Sequence, residues 1–353
     1  MQDPAVEQLL PYLQRPGRDA AGNGSRLWIA DENTLHGLSA VTAAHDIALI
    51  TNRFDVAQRA RELGFATQFS DFSFSTLEAD SIQTAVYRVS KEKPVVHHII
   101  NEARRFLAPG GELVLAGLKN EGIKTYIDKA KQLFGNGVAR KVGNVYTGNL
   151  VKRDCARTSA ALDDKNYAQL RLIRTSQLDF YSKPGLFGWD KVDQGSAFLV
   201  ERLPGIISAA PGPPASLLDL GCGYGYLSIM TRDMPLERRT ATDNNAAALL
   251  AMQENANHYA MQVEVVADDC AGGVAPDFDL ILCNPPFHQG FSVDAQLTDK
   301  FLRQTSRLLA AQGMAVFVVN QFIPLERAAE KYFKRIEIAA RNKSFKLIRL
   351  ALR

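Results

Sequence analysis

The stretch ASLLDLGCGYGYLSIM, residues 215–230, sets the tightest limit on what this chain can become. An apolar strand-like run leads straight into glycines at alternate positions, Gly221, Gly223 and Gly225, and then into a helix-like run. Glycine carries no Cβ, so its backbone bends where other residues are strained and lets a ligand approach the main chain. A strand, tight turn and helix of this kind belong to a sheet of parallel strands with crossover helices, which binds ligands at the carboxyl edge of its strands. The dinucleotide pattern G-x-G-x-x-G is not met, because its third glycine falls on Tyr226. Asp219 precedes the turn and suits a ligand with a positively charged head better than a pyrophosphate.

The same alternation continues downstream. RRTATDNNAAALLAMQENANHYA repeats strand, acidic turn and alanine-rich helix; VEVVADD and FDLILCNPP supply two strands; LTDKFLRQTSRLLAAQG gives a helix closed by Gly313; MAVFVVN is a further strand. RIEIAA and FKLIRLAL, joined by RNKS, pair as an antiparallel hairpin at one sheet edge. The first half repeats this plan in weaker form, with strands in SRLWIADEN, HDIALITNR, ELGFATQF, SIQTAVYRV and GELVLAGL and a helix in KPVVHHIINEARRFLAPGG. Its LWIA is followed by DENTLHG and not by a glycine turn, so this copy is expected to serve packing or RNA contact and not catalysis. With 353 residues, two domains are expected, 1–160 and 161–353, with the boundary between residues 155 and 175.

Composition narrows the class. Hydrophobic residues make up 46% and charged residues 22%, and no apolar run approaches the roughly 18 residues a membrane span needs, so a soluble protein is expected. The start, MQDPAVEQLLPYLQRPGRDA, lacks the basic and apolar segments of a signal peptide, which places the protein in the cytoplasm. Cys155, Cys222, Cys270 and Cys283 form no CxxC pair, which argues against a disulfide framework and a metal site. The net charge of +3 hides an asymmetry: from Lys331 onward there are eight basic residues against one acid, Glu337. A second basic stretch runs from VKRDCARTSA to RLIRTSQ. Such runs are solvated faces or the footprint of a phosphate backbone.

Asp243 ends the second strand of the later half, where a carboxylate accepts the hydroxyls of a ribose; the competing reading is an N-cap on AAALLAMQEN. Asp268 or Asp269 at the third strand end could bond an adenine amino group, with Asp269 preferred; helix capping is again the alternative. CNPPFH, residues 283–288, ends the fourth strand with an amide, two prolines and an aromatic ring. That is either a stiff turn or a preset clamp for a flat substrate.

Taken in order, LLDLGCGYG, ATDNN, ADDC and ILCNPPFH resemble the motifs of class I S-adenosylmethionine-dependent methyltransferases. KPGLFGWDKVDQGSAFLVERL, NPPFHQG, NQFIPL, FKLIRL and the degenerate first half resemble the bacterial ribosomal RNA guanine-N2 methyltransferases of the RsmC type, strongly from about Lys183 onward. The RlmG type, which modifies large-subunit RNA, shares NPPFH and the duplication. The resemblance implies two tandem Rossmann-like domains, the first degenerate, and methyl transfer from S-adenosylmethionine to a guanine N2 amine of 16S RNA. The substrate would be ribosomal RNA in the small subunit or an assembly intermediate, and the enzyme a monomer with no metal. In that picture Asp219, Gly221, Gly223, Gly225, Asp243, Asp269 and Asn284 hold the cofactor. Phe187 and Asp193, with Gly195, belong to a segment closing over it; Trp189 and Lys191 receive no role. The oxygen of Asn284 and the carbonyl of Pro285 would orient the amine on a chain stiffened by Pro285 and Pro286, and Phe287 would stack on the base. His288 contacts RNA, guides a proton or serves as a hydrogen-bonding support. NPP[FY] also serves adenine-N6 and protein-glutamine methyltransferases, since all these targets are planar amines.

Overall fold

Fourteen strands build two sheets of the same design. In the computed structural model the described residues are 3–15, 25–153, 160–176, 178–208, 210, 212–286, 288–289, 292–293 and 295–353. Contacts divide the chain into Met1–Gln169 and Leu170–Arg353, where the sequence reading put the boundary between residues 155 and 175. The first unit contains β1 (Arg26–Ala30), β2 (Ile47–Thr51), β3 (Ala66–Phe69), β4 (Ile82–Arg88), β5 (Leu107–Leu118), β6 (Gly137–Val142) and β7 (Val145–Val151). Their order across the sheet is β3-β2-β1-β4-β5-β7-β6. The second unit opens with an antiparallel hairpin of β8 (Arg171–Arg174) and β9 (Asp179–Ser182), which the sequence reading did not foresee. β10 (Ser216–Leu220), β11 (Arg238–Asp243), β12 (Glu264–Ala267) and β13 (Phe278–Cys283) follow. After a short hairpin of β14 (His288–Gln289) and β15 (Ser292–Val293) come β16 (Leu309–Asn320), β17 (Arg335–Arg341) and β18 (Phe345–Ala351). The main sheet runs β12-β11-β10-β13-β16-β18-β17, parallel through β16 and antiparallel at β18 and β17. The central strands β10 and β13 are buried along nearly their whole length, because helices cover both faces of a parallel sheet.

Two helix ends differ from expectation in the same way: KPVVHHIINEARRFLAPGG is helical only over Lys93–Phe106, with its APGG in β5, and its counterpart in the second half also stops short. The helix thought to end at Gly313 spans Ala295–Leu308, and Gly313 lies within β16. A Cβ there would stand 2.6 Å from the Phe278 carbonyl oxygen, so the glycine lets β16 close against β13 at a register shift rather than cap a helix. Gly111 does the same in β5, where a Cβ would stand 3.1 Å from the carbonyl oxygens of Ile82 and Gln83 on β4.

The ladders allow the two sheets to be compared strand by strand. β4 and β5 pair Tyr87 with Leu115 after a register shift at Ile82/Thr84; β13 and β16 pair Cys283 with Phe317 after one at Phe278/Leu280. Across the sheet, Trp28 pairs with Val86 and Asp219 with Leu282. Matching ladder to ladder puts Trp28 at the position of Asp219, Thr51 at that of Asp243, and Arg88 at that of Asn284. The first sheet has thus lost two carboxylates and gained a cation. Arg88 is buried and bound to Asp3 (3.0 Å) and Glu121 (2.8 Å), with its Nη1 donating to the Val89 carbonyl. These partners also keep the guanidinium charged despite its burial.

Removing one partner of a buried ion pair leaves the other charge unsolvated, at about 3–5 kcal/mol. Arg88→Ala is therefore expected to destabilise the first unit by about that much, read by urea unfolding through Trp28 fluorescence in a Trp189→Phe background. Adding Glu121→Gln should recover part of the loss. An unchanged midpoint would show that the triad is not a stabilising element.

Candidate active site

The glycine turn joins β10 to the short helix Tyr226–Met230. Gly221, Gly223 and Gly225 all have positive φ, of 75°, 56° and 91°. Their neighbourhoods differ. A Cβ on Gly225 would fall 2.1 Å from the Met252 sulfur, so this glycine is needed for packing as well as for backbone angle. A Cβ on Gly223 would meet nothing within 4 Å, so this part of the turn borders open space. Asn255, fully buried on the helix Ala246–His258, holds the turn from beneath. Its Nδ2 donates to the carbonyls of Tyr224 (2.7 Å) and Tyr181 (2.9 Å), and its Oδ1 accepts from the Tyr181 amide (2.6 Å). The Tyr224 ring stacks on Phe180 at 4.2 Å, and its hydroxyl is buried with no hydrogen-bond partner among the described residues.

Acids gather at the turn. Asp219 is 1% exposed, and its Oδ2 accepts from the amide (3.0 Å) and hydroxyl (2.7 Å) of Ser228, which ties the strand end to the following helix. Burial raises its pKa to about 6, against the pull of the Ser228 hydrogen bonds. Asp243 takes the Gly223 amide on Oδ2 (3.0 Å) and the Asn245 amide on Oδ1 (2.8 Å). It is not the helix cap: Asn245 fills that place, accepting from the Ala247 amide. Burial, then Asp243 and Asp219, push the Cys222 thiol well up, so this buried cysteine is inert and the field in the turn is negative. At the third strand end Asp268 binds the amides of Gly272 (2.6 Å) and Gly273 (2.8 Å), closing its own turn. Asp269 is half-buried and paired with Lys300.

Asn284 lies one residue beyond β13, and its orientation is fixed. Its Nδ2 donates to Asp193 Oδ2 and to Ser196 Oγ, both at 2.8 Å. A carboxylate only accepts, so the amide nitrogen must face Asp193 and the oxygen must face the other way. Among the described residues neither Asn284 Oδ1 nor the Pro285 carbonyl accepts a hydrogen bond. Asp193 also receives the Ser196 amide (2.8 Å) and so caps the helix Gln194–Ser208. Gly195 admits this contact: a Cβ there would lie 3.0 Å from Asp193 Oδ2 and 3.1 Å from the Phe345 ring. Pro285 is buried and Pro286 exposed.

Phe187 sits in a turn six residues before Asp193, 80% exposed. Phe287 lies outside the described residues, as do Cys155 and the side chain of His288. The sequence reading missed Ser196, Ser228, Asn255 and Lys300, which act on the expected residues through hydrogen bonds or charge. Phe322, inside the NQFIPL motif, is 93% exposed just past β16, and its neighbour Ile323 is buried in the core. Ser228 and Asn255 are ordinary helix residues in the sequence, and only the fold gives them their partners.

Residues 177–349 match the methyltransferase small domain family. Ribosomal RNA small subunit methyltransferase C of Shewanella loihica is 26% identical, covering 88% of this chain and 90% of its own. The Pseudomonas paraeruginosa protein of the same name is 31% identical over 68% and 70%. Among solved structures, a T. thermophilus 16S rRNA guanine-N2 methyltransferase in complex with AdoMet and guanosine has a TM-score of 0.81 at 22% identity, spanning 100% of this chain and 92% of its own, a likeness of fold.

The raised pKa of Asp219 has a consequence for stability. Its folded-state value lies above the ordinary 3.8, so the native state binds this proton more tightly than the unfolded chain does. The contribution is fully present below about pH 4 and lost as pH rises through about 6, an effect on the order of 2–3 kcal/mol. Asp219→Asn should flatten the stability profile between these limits relative to the parent protein, measured by urea unfolding at stepped pH. Parallel profiles would place the raised pKa elsewhere.

Proposed function

Because the chain belongs to the ribosomal RNA small subunit methyltransferase C family, we propose that it moves a methyl group from S-adenosylmethionine to the exocyclic N2 amine of a guanine in 16S ribosomal RNA. The observation that carries this reading is Asn284, whose amide nitrogen is held by Asp193 and Ser196 so that its oxygen is left to accept. It acts in the cytoplasm as a monomer, on RNA of the small subunit or an assembly intermediate.

The residues present fit the cofactor. Gly223 borders open space, Asp243 is a half-buried carboxylate at the end of β11 beside the Gly223 amide, as a ribose partner would be, and the acids around the turn favour a cation. Asp219 shapes the turn through Ser228 more than it reaches outward. Asp269 is the better partner for an adenine amine, since both oxygens of Asp268 are committed to Gly272 and Gly273. Gly221 and Gly225 keep the turn close to the ligand, and Phe187 belongs to the segment that closes over it. When bound, S-adenosylmethionine supplies a methyl group on a sulfonium, an electrophile that needs no metal.

A guanine amine is a poor nucleophile because its lone pair is delocalised into the ring. Asn284 Oδ1 and the Pro285 carbonyl accept its two hydrogens and so aim the remaining electron pair, which makes catalysis a matter of positioning. With the cofactor bound, the methyl carbon's bond to sulfur would break, its electron pair staying on sulfur, as the N–C bond forms, and the amine nitrogen, made cationic, would lose a proton toward Asn284 Oδ1, the Pro285 carbonyl and solvent. Phe287 stacks on the base. The unit 1–169 contributes structure or RNA contact, since its sheet carries Trp28, Thr51 and Arg88 where the second carries Asp219, Asp243 and Asn284. A cation at position 88 opposes a sulfonium.

Tritium from labelled S-adenosylmethionine is expected in N2-methylguanine of 16S RNA, supplied as naked RNA and as assembled subunits. Label in adenine, in 23S RNA or in a protein glutamine would overturn the assignment. Asn284→Ala should lower kcat at least about 100-fold while cofactor affinity stays near the parent value. Ser196→Ala, which removes one of two restraints, should lower it about tenfold. Equal loss of cofactor binding in Asn284→Ala would move that residue from the acceptor to the cofactor site.

A further inference from the structure

The edge hairpin of the first unit carries a cluster that the reaction does not use. Lys141 on β6 pairs directly with Tyr146 on β7. The Lys141 ammonium lies 5.7 Å from the centre of the Tyr146 ring, and that of Lys124, from the helix Ile123–Phe134, lies 4.7 Å from it. Lys119, just past β5, adds a third charge. All three lysines are exposed, Tyr146 is half-exposed, and none of the four has an ion-pair partner among the described residues. Although desolvation raises the Tyr146 pKa, the hydrogen bond from Lys124 and the charges of Lys124, Lys141 and Lys119 outweigh it and draw the value down. The nearest acid in sequence, Glu121, is taken by Arg88. β6 is the outermost strand of its sheet, with Val138 and Val142 59% and 58% exposed, and among the described residues no strand pairs with its outer edge.

Three like charges around one ring repel one another, and nothing in the fold requires them together. A polyanion with flat bases answers both features: phosphates neutralise the lysines and a base stacks on the tyrosine. We infer that the face formed by Lys119, Lys124, Lys141 and Tyr146 is a docking surface for single-stranded or looped ribosomal RNA outside the target guanine. This rests on the proposed function and gives the non-catalytic unit a specific role. An acidic protein could meet the lysines but would need an aromatic side chain placed beside its acids, whereas every nucleotide of RNA carries a phosphate and a flat base together, so RNA is favoured.

The test measures affinity of the full chain for a 16S RNA transcript between 50 and 200 mM KCl, with S-adenosylmethionine affinity and circular dichroism as controls. Each lost phosphate contact removes about 0.7–0.9 from the slope of log K against log salt, so Lys124→Ala with Lys141→Ala should make it shallower by about 1.4–1.8. Affinity at 100 mM KCl should fall about tenfold or more, with cofactor affinity unchanged. Tyr146→Ala should weaken binding about tenfold at unchanged slope, and Tyr146→Phe much less. Lys124→Arg with Lys141→Arg should restore parent behaviour. A parent-like slope and affinity in the double alanine variant, or equal weakening by arginine, would overturn the inference. Binding is read without methyl transfer, so a protein that docks RNA here yet labels no guanine contradicts the proposed function and not this surface.

Discussion

The geometry of the candidate site depends on which way one amide points. Asn284 sits where β13 leaves the sheet, and a free amide there would present nitrogen or oxygen with similar ease. Asp193 breaks that symmetry because a carboxylate cannot donate, and Ser196 adds a second acceptor for the same nitrogen. Asp193 is itself held in place as the cap of the helix Gln194–Ser208, so the orientation of the acceptor is built into a helix start and not left to a mobile side chain. Gly195 is the residue that makes the approach possible, lying against both Asp193 and Phe345.

The two sheets show what happens when that arrangement is lost. Their strand orders coincide and even their bulges match, yet the positions of Asp219, Asp243 and Asn284 carry Trp28, Thr51 and Arg88 in the first unit. Arg88 is bound into a buried ion triad with Asp3 and Glu121, which ties the N-terminal segment to the carboxyl end of β4. A site that would attract a cation in one sheet has become a structural ion cluster in the other.

Much of this was legible in the sequence. The glycine turn, the strand-helix alternation and the terminal hairpin are local patterns, and they fixed the fold class and the duplication. Asp243 and Asn284 were visible because strand ends can be read from apolar runs. The supports were not. Asn255 and Ser228 reach partners 74 and 9 residues away, and Ser196 meets Asn284 across 88 residues, distances that no periodicity encodes. Gly313 was misplaced as a helix cap because a glycine after an apolar helix reads the same whether it ends the helix or lets two strands close. The Lys–Tyr cluster was equally hidden, since Lys119, Lys124, Lys141 and Tyr146 come from four separate elements.

The central claim is that Asp193 works through the orientation of Asn284. A double-mutant cycle with Asp193→Asn and Asn284→Ala, read as single-turnover methyl transfer at saturating S-adenosylmethionine, tests it most directly. Asparagine keeps the helix cap but no longer dictates which end of the facing amide points inward. The account predicts that each single change slows transfer strongly and that the double change is little slower than Asn284→Ala alone. Losses that multiply would mean the two residues act independently, and the orientation argument would be wrong.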